Sequence, residues 1–158
     1  MSTEKTWQTE SSSSDDTFAI GEKFGLACRG GETFLLSSDL GGGKTTFTKG
    51  LAKGLGSANT VTSPTFMVSR VYACRDDIKL HHFDFYRLSQ GGMVGMELEE
   101  LLDDPKAVTV IEWGDVVADS LPLEHVKVNL ERSASGEEIR KITISCPGRY
   151  GYLMEGPA

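Results

Sequence analysis

A strand-sized apolar run that ends in three glycines, a lysine and two threonines leaves a chain few folds to choose from. Here that stretch is Leu36 to Phe47, LSSDLGGGKTTF. Consecutive glycines let successive backbone N–H groups converge on one point, and a helix opening near Lys44 adds its positive end there. The phosphate-cradling pattern is a glycine, four arbitrary residues, then Gly-Lys-Ser/Thr. Ser38, Asp39, Leu40, Gly41, Gly42, Gly43, Lys44 and Thr45 fill its eight positions, and only the first departs from it. A hydroxymethyl group is small and serine tolerates many negative-φ conformations, so Ser38 is expected to adjust affinity and not abolish the loop. The context fits. Thr33 to Ser37 (TFLLS) predicts a short buried strand, and Phe47, Leu51 and Leu55 recur at four-residue spacing, predicting a helix from Thr45 to Leu55. Lys44 would reach the β- and γ-phosphates of a nucleotide and the Thr45 hydroxyl would ligate Mg²⁺.

Length and charge bound the rest. A chain of 158 residues predicts one domain that buries its core without disulfides or structural metal. A net charge of −7 argues against a face that grips nucleic acid or anionic lipid unaided. Cys28, Cys74 and Cys146 are widely spaced and form neither a disulfide framework nor a zinc pattern, so no disulfide-linked partner is expected. With no membrane-length apolar run and no signal-peptide layout at the N-terminus, the expected compartment is the cytoplasm, with no membrane partner. The serine-rich, polar start predicts a mobile tail over residues 1–14, a folded domain over 15–148 and a second tail over 149–158. Trp7 within that start reads as a lone exposed aromatic or as an anchor for a partner.

Further along, the pattern predicts a first helix over 17–29, weakened by Gly21 and Gly25, and strands at 65–73 and 78–85 separated by the charged turn CRDD. A short acidic helix (ELEELL) is expected at 97–102 and a buried strand (AVTVIEW) at 107–113. Segments 123–131 and 138–146 read as a closing pair of strands. A phosphate loop needs a second acid at the end of a neighbouring strand, and two candidates stand there: Asp84 and Glu112. Either alone could equally be a cap or a solvated residue; two behind one glycine loop make that reading weaker. His81 and His82 are adjacent on a strand, so they must face opposite ways.

The ordered set DLGGGKTTFTKGLAKGLG, SPTF, HHFDFYRL, ELEELL and VIEWGD resembles the TsaE family, the small ATPase of bacterial tRNA threonylcarbamoyladenosine synthesis, over roughly residues 17–148. The resemblance implies a single-domain α/β P-loop NTPase, with a mainly parallel central sheet flanked by helices and antiparallel closing strands. It implies ATP and Mg²⁺ as ligands, contacted by Asp39, Leu40, Gly41, Gly42, Gly43, Lys44, Thr45 and Thr46. Thr65, in a loop set by Ser63 and Pro64, would sense the γ-phosphate. Asp84 would stand near Mg²⁺ and the reacting water, and Glu112 would be a metal-associated acid. Asp84, Lys44 and Thr65 are then the catalytic candidates, and Thr45, Glu112 and Asp84 the metal ligands. Thr17 and Arg140 match nucleotide-contacting positions, with a plain surface role equally open. His82 would orient the Asp84 loop. Arg87 fits a structural ion pair or a phosphate contact, and Trp113 fits core or nucleotide site.

The implied partners are TsaB and TsaD, whose complex would modify the adenosine next to the anticodon of ANN-decoding tRNA. On this reading ATP hydrolysis is slow alone and stimulated by those partners, and tRNA is reached only through them. Two rivals remain open from the residues themselves. A small-molecule kinase would need an acceptor pocket and an arginine-rich lid, whereas only Arg70, Arg75 and Arg87 occur between Lys44 and Glu112. A nucleotide-gated binding module would use ATP only to stabilise a docking surface.

Overall fold

The computed structural model describes residues 4–38, 43–58, 61, 69–84, 98–112, 124–134, 136 and 139–154. Its elements run β1 (Lys5–Ser11), α1 (Ser14–Ala27), β2 (Thr33–Ser38), α2 (Lys44–Gly54), β3 (Ser69–Ala73), β4 (Lys79–Asp84), β5 (Ala107–Glu112), β6 (Val126–Arg132) and β7 (Arg140–Cys146). A further helical turn occupies 98–102. One seven-stranded sheet joins all the strands in the order β1-β7-β6-β2-β5-β4-β3. The four inner strands β6, β2, β5 and β4 are mutually parallel. Antiparallel pairings close both sides: β7 and β1 on one, β3 on the other. The sheet is therefore mixed, with parallel pairing confined to its centre.

Two expectations about the termini are overturned. Residues 5–11, read as part of a tail, form an edge strand paired along its whole length with β7, from Lys5 opposite Cys146 to Ser11 opposite Arg140. The polar composition hides a period of two: Trp7, Thr9 and Ser11 turn toward the protein while Thr6, Gln8 and Glu10 face water. Trp7 is half-buried with its ring 6.3 Å from that of Phe24, so it packs on α1. At the other end, Gly148–Met154 is a 3-10 segment with Tyr150 and Leu153 buried, where a tail had been expected.

Helix α1 begins three residues before its sequence-based start because Ser13 is the cap. The Ser13 hydroxyl accepts from the Asp16 N–H at 3.2 Å, and the Asp16 carboxylate accepts from the Ser12 N–H at 2.9 Å. Gly21 and Gly25, which weaken the helix as an isolated segment, are where α2 touches it. A Cβ on Gly21 would stand 2.3 Å from the Phe47 carbonyl oxygen, and one on Gly25 2.2 Å from that of Leu51. Gly50 and Gly54 of α2 return the contact, at 2.0 Å from Phe18 O and 2.2 Å from Glu22 O. The two helices thus meet backbone to backbone.

Their C-terminal ends share one cap. Arg75, in the turn between β3 and β4, donates to Gly54 O (2.5 Å), Gly25 O (3.2 Å) and Cys28 O (2.7 Å), supplying the positive charge that the last turn of α1 lacks. Under the helices, Phe24, Phe47 and Leu51 share one buried core with Phe34 and Leu36 of β2 and Val108 and Val110 of β5. All six residues of β5 are buried, as a strand at the centre of a parallel sheet requires. All three cysteines are free thiols, and burial pushes the Cys28 and Cys146 thiols up, the latter to about 11. Among the described residues no helix is long and apolar enough to cross a membrane.

Candidate functional site

Parallel strands that share a register end on a common edge, and this edge gathers the candidate residues. Leu36 and Asp84 both lie opposite Glu112, while Ser38 lies opposite Leu130 of β6. Because β7 runs antiparallel to β6 and β1 antiparallel to β7, the start of β7 (Arg140) and the end of β1 (Ser11) reach the same edge. This is the C-terminal edge of the parallel strands, where α/β sheets bind ligands.

The glycine loop leaves from the middle of that edge. Its end is described: Gly43 has φ 103°, a left-handed conformation that only glycine adopts without strain, and it is the N-cap of α2. With no side chain at the cap and no acid in the first turn, the positive end of the helix is not offset by its own residues. Lys44 is 7% exposed and turns back toward the strand, its Nζ donating to Ser38 O at 3.4 Å. Thr48 bonds the Lys44 carbonyl at 2.9 Å and holds that turn in place. Thr45 and Thr46 follow, both half-buried. Ser38 has no left-handed backbone: among the described non-glycine residues only Asp76 and Asp77 take positive φ. A serine is therefore sterically at ease at the first loop position.

Thr17 arrives from α1. A Cβ on Gly43 would meet Thr17 Cγ2 at 3.8 Å, so this threonine stands against the last glycine of the loop. Thr17 is buried, and its hydroxyl lies 2.6 Å from that of Ser11, which itself donates to Ser13 O at 2.8 Å. Thr17 Oγ1 also lies 3.4 Å from Ser13 O, so the two hydroxyls and that carbonyl form one small network. Ser11 is opposite Arg140 in the β1–β7 register, which joins the late arginine to the same corner. Ser11 went unrecognised in the sequence because it stood in a stretch read as tail; the alternation Trp7, Thr9, Ser11 was the signal available.

On the other side of the loop stand the acids. Asp84 and Glu112 end adjacent strands, which lie about 4.8 Å apart, and they face the same side of the sheet. Asp84 is half-buried and Glu112 is 3% exposed. His82, expected to orient the Asp84 loop, bonds Glu112: its Nε2 meets Glu112 Oε2 in a fully buried pair. The two histidines do face opposite ways. His81 is half-buried, and its pKa is lowered by burial against the opposing pull of Asp104.

The hydroxyl of Thr45 and the carboxylates of Asp84 and Glu112 are hard oxygen donors, the type that suits Mg²⁺ when substrate phosphates complete its shell. No cluster of three or more His, Cys, Asp or Glu side chains arranged to hold a metal occurs among the described residues. These oxygen donors fit such a cation, with Thr45, Asp84 and Glu112 as the residues that would hold it. Asp39, Leu40, Gly41, Gly42 and Thr65 lie outside the described residues, as do Ser63, Pro64, Arg87 and Trp113.

The far end of the sheet carries a second polar arrangement that sequence reading missed. Glu32, fully buried before β2, accepts from the N–H groups of Arg29 and Gly30 at 2.8 Å each and from the Tyr152 hydroxyl. Arg29 lies 4.0 Å over the Tyr152 ring. This arrangement ties the C-terminal segment to the sheet, on the edge opposite the glycine loop.

Comparison with known proteins agrees with this layout. The family model for "Threonylcarbamoyl adenosine biosynthesis protein TsaE" matches residues 11–142. The TsaE protein of Streptomyces coelicolor is 37% identical over 131 residues, covering 80% of this chain and 87% of its own. That of Bacillus subtilis is 36% identical over 147 residues, 89% of this chain and 87% of its own. That of Treponema pallidum is 38% identical over 142 residues, 85% and 97%. The crystal structure of YdiB from Bacillus subtilis superposes with a TM-score of 0.73 at 32% identity, covering 99% of this chain and 95% of that one. A match that begins at Ser11 and runs through the glycine loop, both strand-end acids and Arg140 takes in every residue gathered at this edge, and it makes the chain a member of the TsaE family.

Proposed function

We propose that this protein is a Mg²⁺-dependent ATPase of the P-loop class that serves tRNA threonylcarbamoyladenosine biosynthesis. The observation that carries the reading is the start of α2: a left-handed Gly43 opens a helix with no acid in its first turn, and Lys44 folds back toward the end of β2. That arrangement suits a polyanion. The pathway comes from the relatives, whose names place them in that biosynthesis.

Each residue then has a task. The N–H groups opening α2 and the Lys44 ammonium hold the β- and γ-phosphates by charge-assisted hydrogen bonds. Thr17, its hydroxyl held in the network with Ser11 and Ser13 O, contacts the nucleotide from the α1 side. Thr45 and Glu112 hold the cation, and Asp84 orients or deprotonates the attacking water. Bound Mg²⁺ would offset phosphate charge and so lower the barrier to displacement. Thr65 would report the γ-phosphate to the rest of the chain. This reading takes water as the nucleophile, since the sequence between Lys44 and Glu112 carries only Arg70, Arg75 and Arg87 toward the arginine-rich lid that a kinase needs.

Turnover by an isolated switch protein is slow, since the transition-state constellation is incomplete without partners. TsaB and TsaD are the partners proposed here, with tRNA reached through them because a net charge of −7 argues against strong unaided binding to a polyanion. The test is ATP turnover by the purified chain alone, with TsaB and TsaD, and with tRNA added, each with and without Mg²⁺. Stimulation that requires both partners and Mg²⁺ supports the proposal. Equal tRNA modification over repeated rounds with a nonhydrolysable analogue would reject hydrolysis as the working step.

A further inference from the structure

The buried His82–Glu112 pair does something that packing alone would not ask for. On β4, His82 and Asp84 face the same side of the sheet, and on β5 so do Val110 and Glu112. The register sets Asp84 beside Glu112 and His82 beside Val110. Glu112 nevertheless directs Oε2 diagonally back to His82. A carboxylate can only accept, so His82 Nε2 carries the proton and donates it. The other ring nitrogen, Nδ1, is buried with no hydrogen-bond partner among the described residues. An unsatisfied buried polar atom costs about 1–3 kcal/mol, whereas a phenyl ring would fill much the same space without that cost.

Resting on the functional reading above, we propose that His82 is the positioning residue for Glu112. It locks the carboxylate by Oε2 and leaves Oε1 as the oxygen that meets the cation or its water. Without the Nε2–H bond, the flexible glutamate side chain would have to be ordered at the moment the cation arrives. Groups that orient a metal ligand in this way typically contribute 10–100-fold in metal affinity.

The test compares His82→Phe, which keeps a ring and removes the donor, with His82→Gln, which keeps a donor near the Nε2 position and removes the ring. ATP binding is measured by calorimetry across a Mg²⁺ titration, with cooperative thermal melting as the check on folding. His82→Phe is expected to leave metal-free ATP affinity unchanged and to raise the Mg²⁺ midpoint about 10–100-fold. His82→Gln should stay within about threefold of the wild type. In a Glu112→Gln background, His82→Phe should add nothing further. A packing role predicts the reverse order, with the phenyl variant normal and the glutamine variant impaired, and that result overturns the proposal.

A measurement on the unaltered protein keeps the idea exposed should either variant fail to fold. The His82 Nε2 proton should give an exchange-protected NMR signal that moves when Mg²⁺ joins the ATP complex. No movement overturns the proposal. If the wild type shows no Mg²⁺-dependent ATP binding at all, the functional reading fails and this proposal with it. If the wild type shows it and His82→Phe retains it, only the role of His82 fails.

Discussion

Lys44, Glu112 and Asp84 lie at one edge of the sheet in different surroundings, and the proposed function gives each a different task. The two acids end neighbouring strands but differ in burial, Glu112 being closed in by His82 and Asp84 half-exposed. In the proposed function, Glu112 therefore takes the cation and Asp84 the water. Glu112→Gln should therefore weaken ATP binding at low Mg²⁺ and recover as Mg²⁺ is raised. Asp84→Asn should bind Mg²⁺-ATP within about threefold of wild type and lose turnover about 100-fold or more, the usual worth of a positioned acid or base. Calorimetry and partner-stimulated turnover over one Mg²⁺ series measure both; rescue of Asp84→Asn by Mg²⁺ would exchange the roles.

A second residue-level prediction concerns pH. Burial first, and the Glu4 charge second, raise the Cys146 thiol from 9.0 to about 11. The folded state therefore favours the neutral thiol, and its contribution is fully present below pH 9 and is lost as pH rises toward 11. Melting temperature should fall over that window, and Cys146→Val, which cannot ionise, should show a shallower fall. Parallel slopes for the two proteins would show that the thiol contributes nothing.

Among the elements, the helix pair has the least tolerance. The Cβ of an alanine at Gly50 would stand 2.0 Å from Phe18 O, a contact only helix displacement can relieve. Gly50→Ala should cost about 1–3 kcal/mol or more by overpacking, read as a lowered denaturant midpoint. Because the same displacement would separate Thr17 from Gly43, ATP affinity should fall with it. Arg75→Ala, which leaves carbonyls at the ends of both helices without their donor, should cost about 2–3 kcal/mol once its partial exposure is discounted. A midpoint unchanged in either variant would contradict the shared helix interface or the shared cap.

The same elements mark what sequence could and could not convey. The glycine loop between an apolar run and a four-residue repeat was legible because its signals are local: Gly43, Lys44, then Phe47, Leu51 and Leu55 along one helix face. The buried AVTVIE strand and its terminal acid were legible for the same reason. Gly21 and Gly25 were misread as weak points because their value lies in α2, about thirty residues on. Arg75 looked like one charge in a turn, since the carbonyls it caps come from two other elements. The Ser13 cap and the alternation in β1 were hidden by a serine-rich, polar composition that resembles a tail.

At the scale of the described fold, the strands of the mixed sheet end in two different polar arrangements. One edge carries the glycine loop, both acids and the Ser11–Thr17–Arg140 corner; the opposite edge is closed by Glu32, Tyr152 and the C-terminal turn. Strand β1 completes the functional edge because its last residue supports Thr17, so the N-terminal segment belongs to the site as much as to the sheet. The proposed function requires a nucleotide's phosphates to sit at the start of α2. The most direct measurement is calorimetric titration of Mg²⁺-ATP into the wild type and into Lys44→Ala, with matched melting curves. Loss of the lysine's charged hydrogen bonds should weaken binding roughly 10–150-fold, about 1.5–3 kcal/mol, while the fold persists. Equal affinity in two equally folded proteins would contradict it.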